Sequence, residues 1–489
     1  MKQVKEHCGV LGLYSYESTD ISNMLINGLQ SEQHRGQEAW GIAIPNKVYK
    51  RLGLVTDGYI ADRDFIQNNF TGNCGIGHVR YSTKGGVDVK NAHPIEVDEF
   101  SIGHNGTISN YDSLIVKLKE DGIYVPSDIT DTEVVAYRLS RIYKKQKNWL
   151  ESFKLLDEEM DGAFCFTMVT KEGEIIACRD RRGFRPLCIG QEKSRHESNI
   201  YVIASESCVI DYLNARFDHS MEAIDVEPGT IVKIGKDGVE QDRFSEAITH
   251  AHCSFEYAYF SNPSSYLEGI NIYEARENCG KELAKMYEGD IAGDVVIPIP
   301  DTARPTAIGF AEKAGILLRE GLMKDRYRKR GSLRSFIEPT PTERERIIRE
   351  MIPIKPIIDG KKVIVIDDSI VRGTTSKEIV RRLRTFGARK IQWFLAFPPI
   401  QWPCYQGIDF PTREELLVPS LCEDGVDLDE INSKVGKYLG VDFCGYIDIS
   451  HLSHGVGIPR KEMCTSCITG DYSCLKNKPR FRTRDEMKG

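Results

Sequence analysis

One stretch decides the fold of the C-terminal half: Val363-Ile364-Val365-Ile366-Asp367-Asp368-Ser369-Ile370-Val371-Arg372-Gly373-Thr374-Thr375. The four apolar residues at its start are β-branched, which is typical of a buried strand in a parallel sheet. Glycine lets a backbone approach an anion closely, and the helix predicted over 376–383 points its positive end there. The stretch therefore predicts a phosphate-binding loop beside two carboxylates. An ordinary strand, polar turn and helix is the alternative, which the ordered string of polar residues disfavours.

This string resembles the phosphoribosyl pyrophosphate (PRPP) loop of the type I phosphoribosyltransferases. The resemblance implies that the paired acids bind the ribose and that the threonine-rich turn holds its 5′-phosphate. A separate segment, from Lys324 through Arg334 to Ile337, is similar to the flexible loop that closes over the substrate. The implied PRPP-binding residues are Asp367, Asp368, Ser369, Arg372, Gly373, Thr374, Thr375 and Arg334.

A second turn of the same kind follows the strand predicted over 294–298. In the family this turn faces the pyrophosphate and a metal ion. Mg²⁺ suits the role because it prefers few carboxylates together with phosphate oxygens of the substrate. The resemblance therefore implies one Mg²⁺ per subunit near Thr302, Asp367 and Asp368.

The whole chain has 489 residues, which is too long for a single core and predicts two or three domains. Hydrophobic residues make up 40% and charged residues 28%, as in water-soluble globular proteins. The net charge of −7 argues against nucleic acid as the main partner. No apolar run reaches transmembrane length and the first residues lack the apolar core of a signal peptide, so no membrane partner and a cytoplasmic location are expected.

The order of elements divides the chain. Residues 8–235 are rich in short strands, glycines and turn signals with helices between them, which predicts an α+β domain. Residues 236–270 form a connecting region, and residues 271–445 alternate strands with helices, which predicts an α/β domain with a parallel sheet. A polar, cysteine-containing tail spans 446–489.

Five sites in the first half are polar and carry groups suited to amide chemistry: Cys8 before an apolar strand, the turn Arg35-Gly36-Gln37, Arg80 at a strand end, the tight turn Asn105-Gly106, and Asp131 at a helix start. Alone, Cys8 is most simply a core cysteine and Asn-Gly a type I′ hairpin turn. His34 and His78 are interpreted as structural.

Together these residues resemble the N-terminal nucleophile (Ntn) glutaminase domain of amidotransferases, which has αββα layers. The resemblance implies that Cys8 is the nucleophile and that Asn105 and Gly106 form the oxyanion hole. It also implies that Arg80 binds the carboxylate of glutamine, that Asp131 binds its ammonium group, and that Arg35 and Gln37 line the pocket. Because the cysteine must be the first residue of the mature chain, residues 1–7 would be a propeptide.

Both halves in this order resemble the glutamine phosphoribosylpyrophosphate amidotransferase family, over nearly the entire chain. The resemblance implies synthesis of phosphoribosylamine for purines, a homotetramer, and feedback by AMP, ADP, GMP or GDP. The sequence departs from the family at Asp325, at a link of six residues from Arg328 to Leu333 where two are usual, at Met351 and at His7. One alternative is a paralogous PRPP-dependent glutamine amidotransferase with an altered closing loop and a different acceptor or weak activity. Another is a non-enzymatic iron–sulfur or nucleotide-sensing protein, which the intact set of Cys8, Arg80, Asp131 and Asp367-Asp368 disfavours.

Fourteen cysteines in a cytosolic chain are not expected to form disulfides. Some family members carry a [4Fe–4S] cluster together with a propeptide, and four cysteines here stand in matching contexts: Cys253, Cys404, Cys464 and Cys467. Four thiolates suit either an iron–sulfur cluster or zinc. The resemblance implies one [4Fe–4S] cluster per subunit in a structural role.

Overall fold

The computed structural model describes residues 8–17, 20–81, 88–126, 129–192, 199–246, 249–324, 351–408, 410 and 412–476. Several sequence predictions lie outside the described residues. They are the proposed propeptide 1–7, the phosphate ligand Arg334, and the departures at Asp325 and from Arg328 to Leu333.

Two antiparallel sheets form the first domain. The strands are β1 (Gly9–Ser15), β2 (Ala39–Ile44), β3 (Lys47–Leu52), β4 (Cys74–Arg80), β5 (Ile95–Glu96), β6 (Phe100–Ile108), β7 (Gly162–Thr170), β8 (Ile175–Arg179), β9 (Cys188–Glu192), β10 (Ile200–Ala204), β11 (Met221–Asp225), β12 (Thr230–Gly235) and β13 (Gly238–Arg243). The order is β11-β9-β10-β1-β4-β2-β3 in one sheet and β13-β12-β8-β7-β6-β5 in the other.

Helices cover the outer face of each sheet. They are α1 (Ser22–Ser31), α2 (Val55–Asn69), α3 (Tyr111–Glu120), α4 (Asp131–Gln146), α5 (Trp149–Glu159) and α6 (Ser207–Phe217). One apolar cluster joins α1, α2 and α6 to the first sheet, another joins α3, α4 and α5 to the second, and a third lies between the sheets. The predicted αββα arrangement is confirmed. Because β1 lies in an inner layer, both of its faces are buried, which explains the apolar run that follows Cys8.

A connecting region leads from the first domain to the second. It contains β14 (His252–Cys253), a single π-helical turn over Glu256–Phe260, β15 (Tyr266–Leu267) and β16 (Ile270–Asn271). Phe255 packs edge-on against Phe397 and Phe410 of the second domain, with ring centroids 4.8 and 5.6 Å away. The connecting region is therefore part of the core rather than an exposed linker.

A parallel sheet with helices on both faces forms the second domain. Its elements are α7 (Ile272–Met286), β17 (Val295–Pro298), α8 (Arg304–Ala314), β18 (Leu322–Lys324), β19 (Met351–Pro353), α9 (Lys355–Ile358), β20 (Lys362–Asp367), α10 (Thr374–Thr385), β21 (Lys390–Leu395), α11 (Leu417–Leu421), α12 (Leu428–Leu439), β22 (Phe443–Tyr446), α13 (Ile449–Val456), β23 (Met463–Cys464) and α14 (Ser466–Thr469). The strand order is β17-β20-β21-β22, and every neighbouring pair is parallel. The predicted α/β sheet is confirmed, and α13 packs with α7 in its core.

Candidate active sites

Cys8 directly precedes β1, the strand that lies between β10 and β4. Its thiol is half-buried and donates to the carbonyl oxygen of Tyr81 at 3.8 Å. Nε of Arg35 donates to the carbonyl oxygen of Cys8 at 3.2 Å. The backbone of Gly36 packs closely against the backbone of β4, and a β-carbon at this position would lie only 2.6 Å from the backbone nitrogen of Arg80. The turn after α1 thus fixes both Cys8 and the end of β4.

Arg35 does more than line a pocket. Its guanidinium is buried and forms ion pairs with Glu206 and Glu256, with Nη2 lying 2.7 Å from Oε1 of Glu256. Burial opposes the charges of both acids, yet charged partners hold both pKa values below the ordinary range. They are His34 and Arg35 for Glu206, and Arg35 and Arg185 for Glu256. The guanidinium therefore holds the backbone of Cys8 in place through its carbonyl oxygen. A contact between Arg35 and glutamine stays a prediction. Gln37 is half-buried beside the same turn.

Charges of both signs surround the Cys8 thiol. Burial raises its pKa to about 12, Asp131 adds to the shift, and Arg80 opposes it. Arg80 is buried at the end of β4, and Asp131 begins α4, where its Oδ2 accepts a hydrogen bond from the backbone of Ile108. One cation and one anion within reach of the same thiol match the two charged ends of an α-amino acid.

Asn105 and Gly106 lie inside β6, so the predicted tight turn at these residues is wrong. The strand continues because its residues pair with β7 in an unbroken register, with Asn105 opposite Cys165. Gly106 has φ of +146°, a conformation that other residues rarely adopt. Both polar atoms of the Asn105 side chain are fully buried and have no hydrogen-bond partner among the described residues. Such an unpaired amide is expected where a ligand completes the site.

Three buried histidines lie in and beside this strand: His78, His93 and His104. Nε2 of His78 lies 2.9 Å from the carbonyl oxygen of His104 and 3.1 Å from Nδ1 of His93. Burial lowers the pKa of all three and brings that of His78 to about 3. They are therefore neutral at pH 7 and serve as hydrogen-bonding supports, which agrees with the structural interpretation of His78.

The second site lies at the carboxyl ends of β17 and β20. Asp367 ends β20 and Asp368 follows it, and both carboxylates are buried. Thr302, which follows β17, donates its hydroxyl to Oδ2 of Asp368, and Ser369 donates to Oδ1 at 3.2 Å. Because β17 and β20 are parallel neighbours, the fold brings Thr302 to the acid pair that the sequence predicted beside it.

Burial raises the pKa of both carboxyls, and the charge of Asp368 raises that of Asp367 further. The hydroxyl of Thr302 and the charge of Arg276 oppose the shift at Asp368. Arg276 lies on α7 and is itself buried, so desolvation lowers its pKa to about 10. Few positive charges or hydrogen-bond donors offset the burial of these two acids. Such a pair is suited to bind a cation or the hydroxyl groups of a ligand.

The helix that follows the predicted phosphate-binding loop begins two residues earlier than predicted. Helix α10 begins at Thr374 rather than 376, with Gly373 at its N-cap, so both threonines supply backbone N–H groups at the start of the helix. The guanidinium of Arg372 points elsewhere, and its Nη2 lies 3.5 Å from Oε2 of Glu415. A role for Arg372 in binding PRPP stays a prediction.

The four cysteines predicted as ligands come from three separate parts of the chain. Strand β14 pairs in parallel with β23, which places Cys253 beside Cys464. The sulfur of Cys404 accepts hydrogen bonds from the backbone of Gln406 at 3.4 Å and of Ile408 at 3.3 Å. Burial raises the pKa of Cys467, and the neighbouring Cys404 and Cys253 raise it further. The fold therefore brings these thiols to one region.

All fourteen cysteines are free thiols. Within the described ranges, no three His, Cys, Asp or Glu side chains are grouped so that they could hold a metal ion. The thiol of Cys464 lies 3.6 Å from the hydroxyl of Ser466, which also lies 3.4 Å from the sulfur of Cys474. The sequence analysis did not assign Cys474 a place in this group.

Comparisons with known proteins agree with the two sites. A glutamine amidotransferase domain matches residues 78–211, and a phosphoribosyl transferase domain matches residues 270–397. The amidophosphoribosyltransferase of Methanocaldococcus jannaschii is 39% identical, over 98% of this chain and 100% of the relative. The chain belongs to the amidophosphoribosyltransferase family. The family member of Bacillus subtilis is 35% identical, over 96% of this chain and 95% of the relative.

Solved structures of amidophosphoribosyltransferases have the same fold. One, described as the allosteric regulatory enzyme of purine biosynthesis, has a TM-score of 0.82 and 34% identity, and the match covers 98% of this chain and 97% of that chain. Another is the Bacillus subtilis glutamine PRPP amidotransferase complexed with ADP and GMP, with a TM-score of 0.81, 34% identity and coverage of 95% and 97%. In the described part of this chain, no helix is long and apolar enough to cross a membrane.

Sequence reasoning missed four buried charged residues in the first domain, the connecting region and α7. They are Arg185, Glu206, Glu256 and Arg276. Their partners are distant in the sequence, so no local motif indicates their role. The strongest signal is Glu256, a single acid within the otherwise apolar and aromatic run from Phe255 to Phe260. An acid in such a run is buried only when it is paired.

Proposed function

We propose that the chain carries out the amidophosphoribosyltransferase reaction. Glutamine is hydrolysed to glutamate and ammonia, and the ammonia attacks C1 of the ribose of PRPP, which releases pyrophosphate and leaves 5-phosphoribosylamine. This is the first committed step of purine (IMP) synthesis. The proposal is supported by one observation above all: an amidotransferase site around Cys8 and an acid loop at Asp367 stand in one chain that matches its relatives along nearly its whole length.

Cys8 is the proposed nucleophile, and the α-amino group of an N-terminal cysteine is its general base. An α-amino group has a pKa of about 8, so at neutral pH it can accept the thiol proton. Removal of residues 1–7 as a propeptide would create this group. The raised pKa of the Cys8 thiol supports the need for a base, because a thiol with a pKa of about 12 keeps its proton at pH 7.

The proposed oxyanion hole consists of the side-chain amide of Asn105 and the backbone N–H of Gly106. Support comes from the buried amide of Asn105, which has no hydrogen-bond partner in the described residues. Arg80 would bind the carboxylate of glutamine and Asp131 its ammonium group. Arg35 and Gln37 complete the proposed pocket, with Arg35 acting through the backbone of Cys8.

PRPP is the proposed ligand of the second site. Asp367 and Asp368 would bind the ribose hydroxyls, while the backbone and hydroxyls at the start of α10 would bind the 5′-phosphate. The proposed PRPP-binding residues are Asp367, Asp368, Ser369, Arg372, Gly373, Thr374, Thr375 and Arg334. A Mg²⁺ held by Thr302, Asp367 and Asp368 would neutralise charge on the pyrophosphate, and the raised pKa of the acid pair is consistent with such a cation.

We propose that four cysteines are the ligands of a [4Fe–4S] cluster: Cys253, Cys404, Cys464 and Cys467. Burial raises the pKa of the free Cys404 thiol to about 11, so a bound metal is needed to hold it as a thiolate. The two backbone N–H groups directed at its sulfur would then stabilise that thiolate. When bound, the cluster would tie the connecting region, the second domain and the tail together. Zinc is the alternative metal for four thiolates.

Purine nucleotides are the proposed feedback inhibitors, since the Bacillus subtilis relative was solved with ADP and GMP. We also propose that the protein acts as a homotetramer in the cytoplasm, without a nucleic-acid or membrane partner. The net charge of −7 supports the exclusion of nucleic acid.

Isotope transfer tests the proposed reaction. The protein is purified anaerobically, its intact mass is measured, and it is incubated with amide-¹⁵N glutamine, PRPP and Mg²⁺. The expected product is phosphoribosylamine that carries the ¹⁵N label, formed only by protein that begins at Cys8. Full activity in protein that still carries residues 1–7 would contradict the role of Cys8, and hydrolysis of glutamine without labelled product would contradict the transfer.

A further inference from the structure

The carboxyl group of Glu32 lies directly beside the start of β1. Glu32 follows the last residue of α1 and is fully buried. Its Oε1 accepts a hydrogen bond from the backbone nitrogen of Ser205 at 2.9 Å. Its Oε2 lies against the backbone of Gly9, where a β-carbon would stand only 2.6 Å from this oxygen. The carboxyl group is therefore in contact with the residue that is bonded to Cys8.

One oxygen of this carboxyl group is left without a partner. Oε2 of Glu32 is buried and has no hydrogen-bond partner among the described residues. Two other buried acids belong to the same cluster of charges, Glu206 and Glu256, and each of them accepts hydrogen bonds at both of its oxygens. Of these three acids, Glu32 is thus the one that can still accept a hydrogen bond from a further donor.

The charges around Glu32 agree with a missing donor. Burial raises the pKa of its carboxyl to about 8, and the charge of Glu206 adds to the shift. Arg35 and His34 oppose it, but their side chains make hydrogen bonds to Glu206 instead. A buried polar group without a partner calls for an explanation, and a ligand or a group that is created later is one.

The backbone of Cys8 faces the edge of β1 that carries Glu32. Two residues later, Val10 donates its N–H to Oγ of Ser205 at 2.9 Å and accepts from the backbone nitrogen of Ser205 at 3.0 Å. Alternate residues of a strand face the same edge, and the carbonyl oxygen of Cys8 does so, because Arg35 donates to it there at 3.2 Å. In extended backbone, the nitrogen of a residue faces the same edge as its carbonyl oxygen.

We propose that Glu32 is a positioning residue for the α-amino group of Cys8. The inference rests on the proposed function, in which this group is the general base. Removal of residues 1–7 gives the nitrogen of Cys8 additional N–H donors, and one of them donates to Oε2 of Glu32. The hydrogen bond holds the amine in place, so that its lone pair accepts the proton of the Cys8 thiol.

Three substitutions test this contact. Glu32→Leu removes the accepting oxygen and keeps a side chain of similar size, whereas Glu32→Gln retains an oxygen that can accept. Glu282→Leu is the matched control, because Oε2 of Glu282 is also buried without a hydrogen-bond partner among the described residues but lies on α7 of the second domain. Glutamine hydrolysis, iodoacetamide labelling of Cys8 and thermal unfolding are measured for the full chain at pH 8.

In protein whose intact mass shows that it begins at Cys8, Glu32→Leu should lower both glutamine hydrolysis and labelling of Cys8 by about tenfold. This is a typical effect of one hydrogen bond to an ionisable group. Glu32→Gln should keep most of both rates, and Glu282→Leu should keep them fully. Glu32→Leu should unfold at no lower temperature than the unchanged protein, because an apolar group replaces a buried carboxyl without a full set of partners.

Protein that still carries residues 1–7 separates positioning from a merely structural role. It has no α-amino group at Cys8, so Glu32→Leu should leave the labelling of Cys8 unchanged in this form. The two forms give Cys8 peptides of different mass, which are measured separately in one digest. An equal loss of labelling in both forms would show that Glu32 acts only through the structure of β1 and would overturn the inference.

The inference is also wrong if Glu32→Leu that begins at Cys8 keeps the rates of the unchanged protein, or if Glu32→Gln loses as much as Glu32→Leu. Labelled phosphoribosylamine formed by the unchanged protein is measured with the same preparations. Its formation together with either of these results would overturn the role of Glu32 alone. Its absence would overturn the proposed function.

Discussion

Gly407 of the second domain lies against Gly106 of the first: a β-carbon on Gly407 would stand 3.2 Å from the Cα of Gly106 and 3.2 Å from Nη2 of Arg185. Arg185 is buried and donates from both Nε and Nη2 to the carbonyl oxygen of Gln406. The segment that carries Cys404 therefore contacts the backbone beside Asn105. The wall of the proposed oxyanion hole is thus built in part by the second domain.

Gly407→Ala is expected to lower glutamine hydrolysis by about tenfold or more, because a displacement near 1 Å at a catalytic group has a large effect on rate. The substitution also strains the backbone, since Gly407 has φ of +107°. Gly425→Ala provides the control, with φ of +82° and open space around the position. Both variants should lose about 1–2 kcal/mol of stability from strain, but only Gly407→Ala should lose hydrolysis. Steady-state glutaminase assays and thermal unfolding separate the two effects.

Asn105→Ala is expected to reduce kcat for glutamine hydrolysis by about 10²–10³-fold, the usual loss for one oxyanion-hole donor. Stability should change little, because the buried amide has no hydrogen-bond partner to lose among the described residues. Asn432→Ala is the contrasting control, since that amide bonds to Tyr287 and to the backbone of Tyr446. The control should unfold at a lower temperature yet keep its glutaminase rate. Equal rates for Asn105→Ala and the unchanged protein would contradict the assignment.

The reactivity of Cys8 should depend on pH in a way that reveals its base. Because burial raises the pKa of the thiol to about 12, alkylation of the chain with residues 1–7 should keep rising above about pH 9. In a chain that begins at Cys8, the rate should instead rise near pH 8, where the α-amino group loses its proton. The measurement is the rate of iodoacetamide labelling of the Cys8 peptide by mass spectrometry.

Cys444 is an internal control in the same digest, since burial also raises its pKa to about 12 and it lies in the second domain. Its labelling should not respond to removal of residues 1–7. Identical pH profiles for Cys8 in the two chains would remove the support for an α-amino base.

Much of the fold could be predicted from local patterns. The apolar residues before Asp367 predict a strand, which spans Lys362–Asp367, and the helix start predicted at Asp131 begins a helix that spans Asp131–Gln146. These elements have a clear pattern of apolar residues or a strong signal for the start of a helix, such as the capping box of Thr130 and Glu133. The helix after Gly373 was predicted two residues late because its threonines were assigned to the loop.

Other features depend on contacts that a sequence does not display. Asn-Gly is the strongest local signal for a hairpin turn, yet β7 pairs with β6 along its whole length and keeps Asn105 in a strand. The bonds from Arg35 to Glu206 and Glu256 span 171 and 221 residues. Only the tertiary fold brings such residues together, so their role as a support for Cys8 could not be predicted.

Asp367→Asn is expected to raise the unfolding temperature of the ligand-free protein at pH 7, because it removes an acid whose charged form is disfavoured by burial and by Asp368. Burial and Asp368 raise the pKa of Asp367 above its ordinary value of 3.8, so ionisation of this group destabilises the folded protein. The gain from Asp367→Asn should be absent below about pH 4 and should grow as the pH rises. Thermal unfolding at a series of pH values measures this difference.

The same substitution should reduce the stabilisation that Mg²⁺ and PRPP give, although it stabilises the ligand-free protein. Mg²⁺ with PRPP should stabilise the unchanged protein and should stabilise Asp367→Asn much less, since the variant lacks one carboxylate of the proposed site. Asp359→Asn serves as the control, because that carboxyl is exposed on the same domain and lies beside Lys355. A variant that binds Mg²⁺ and PRPP as tightly as the unchanged protein would contradict the site.

Cys404→Ser should remove iron from the protein, whereas Cys474→Ser should retain it. Cys404 is a proposed cluster ligand whose sulfur accepts two backbone N–H groups, and Cys474 lies in the same region without being assigned as a ligand. Serine keeps the size of the side chain but is a poor ligand for iron in place of a thiolate. Iron, sulfide and zinc are measured after anaerobic purification, together with the visible absorbance. Zinc without iron in the unchanged protein would overturn the iron–sulfur proposal, and loss of iron in Cys474→Ser alone would show that the fourth ligand is Cys474.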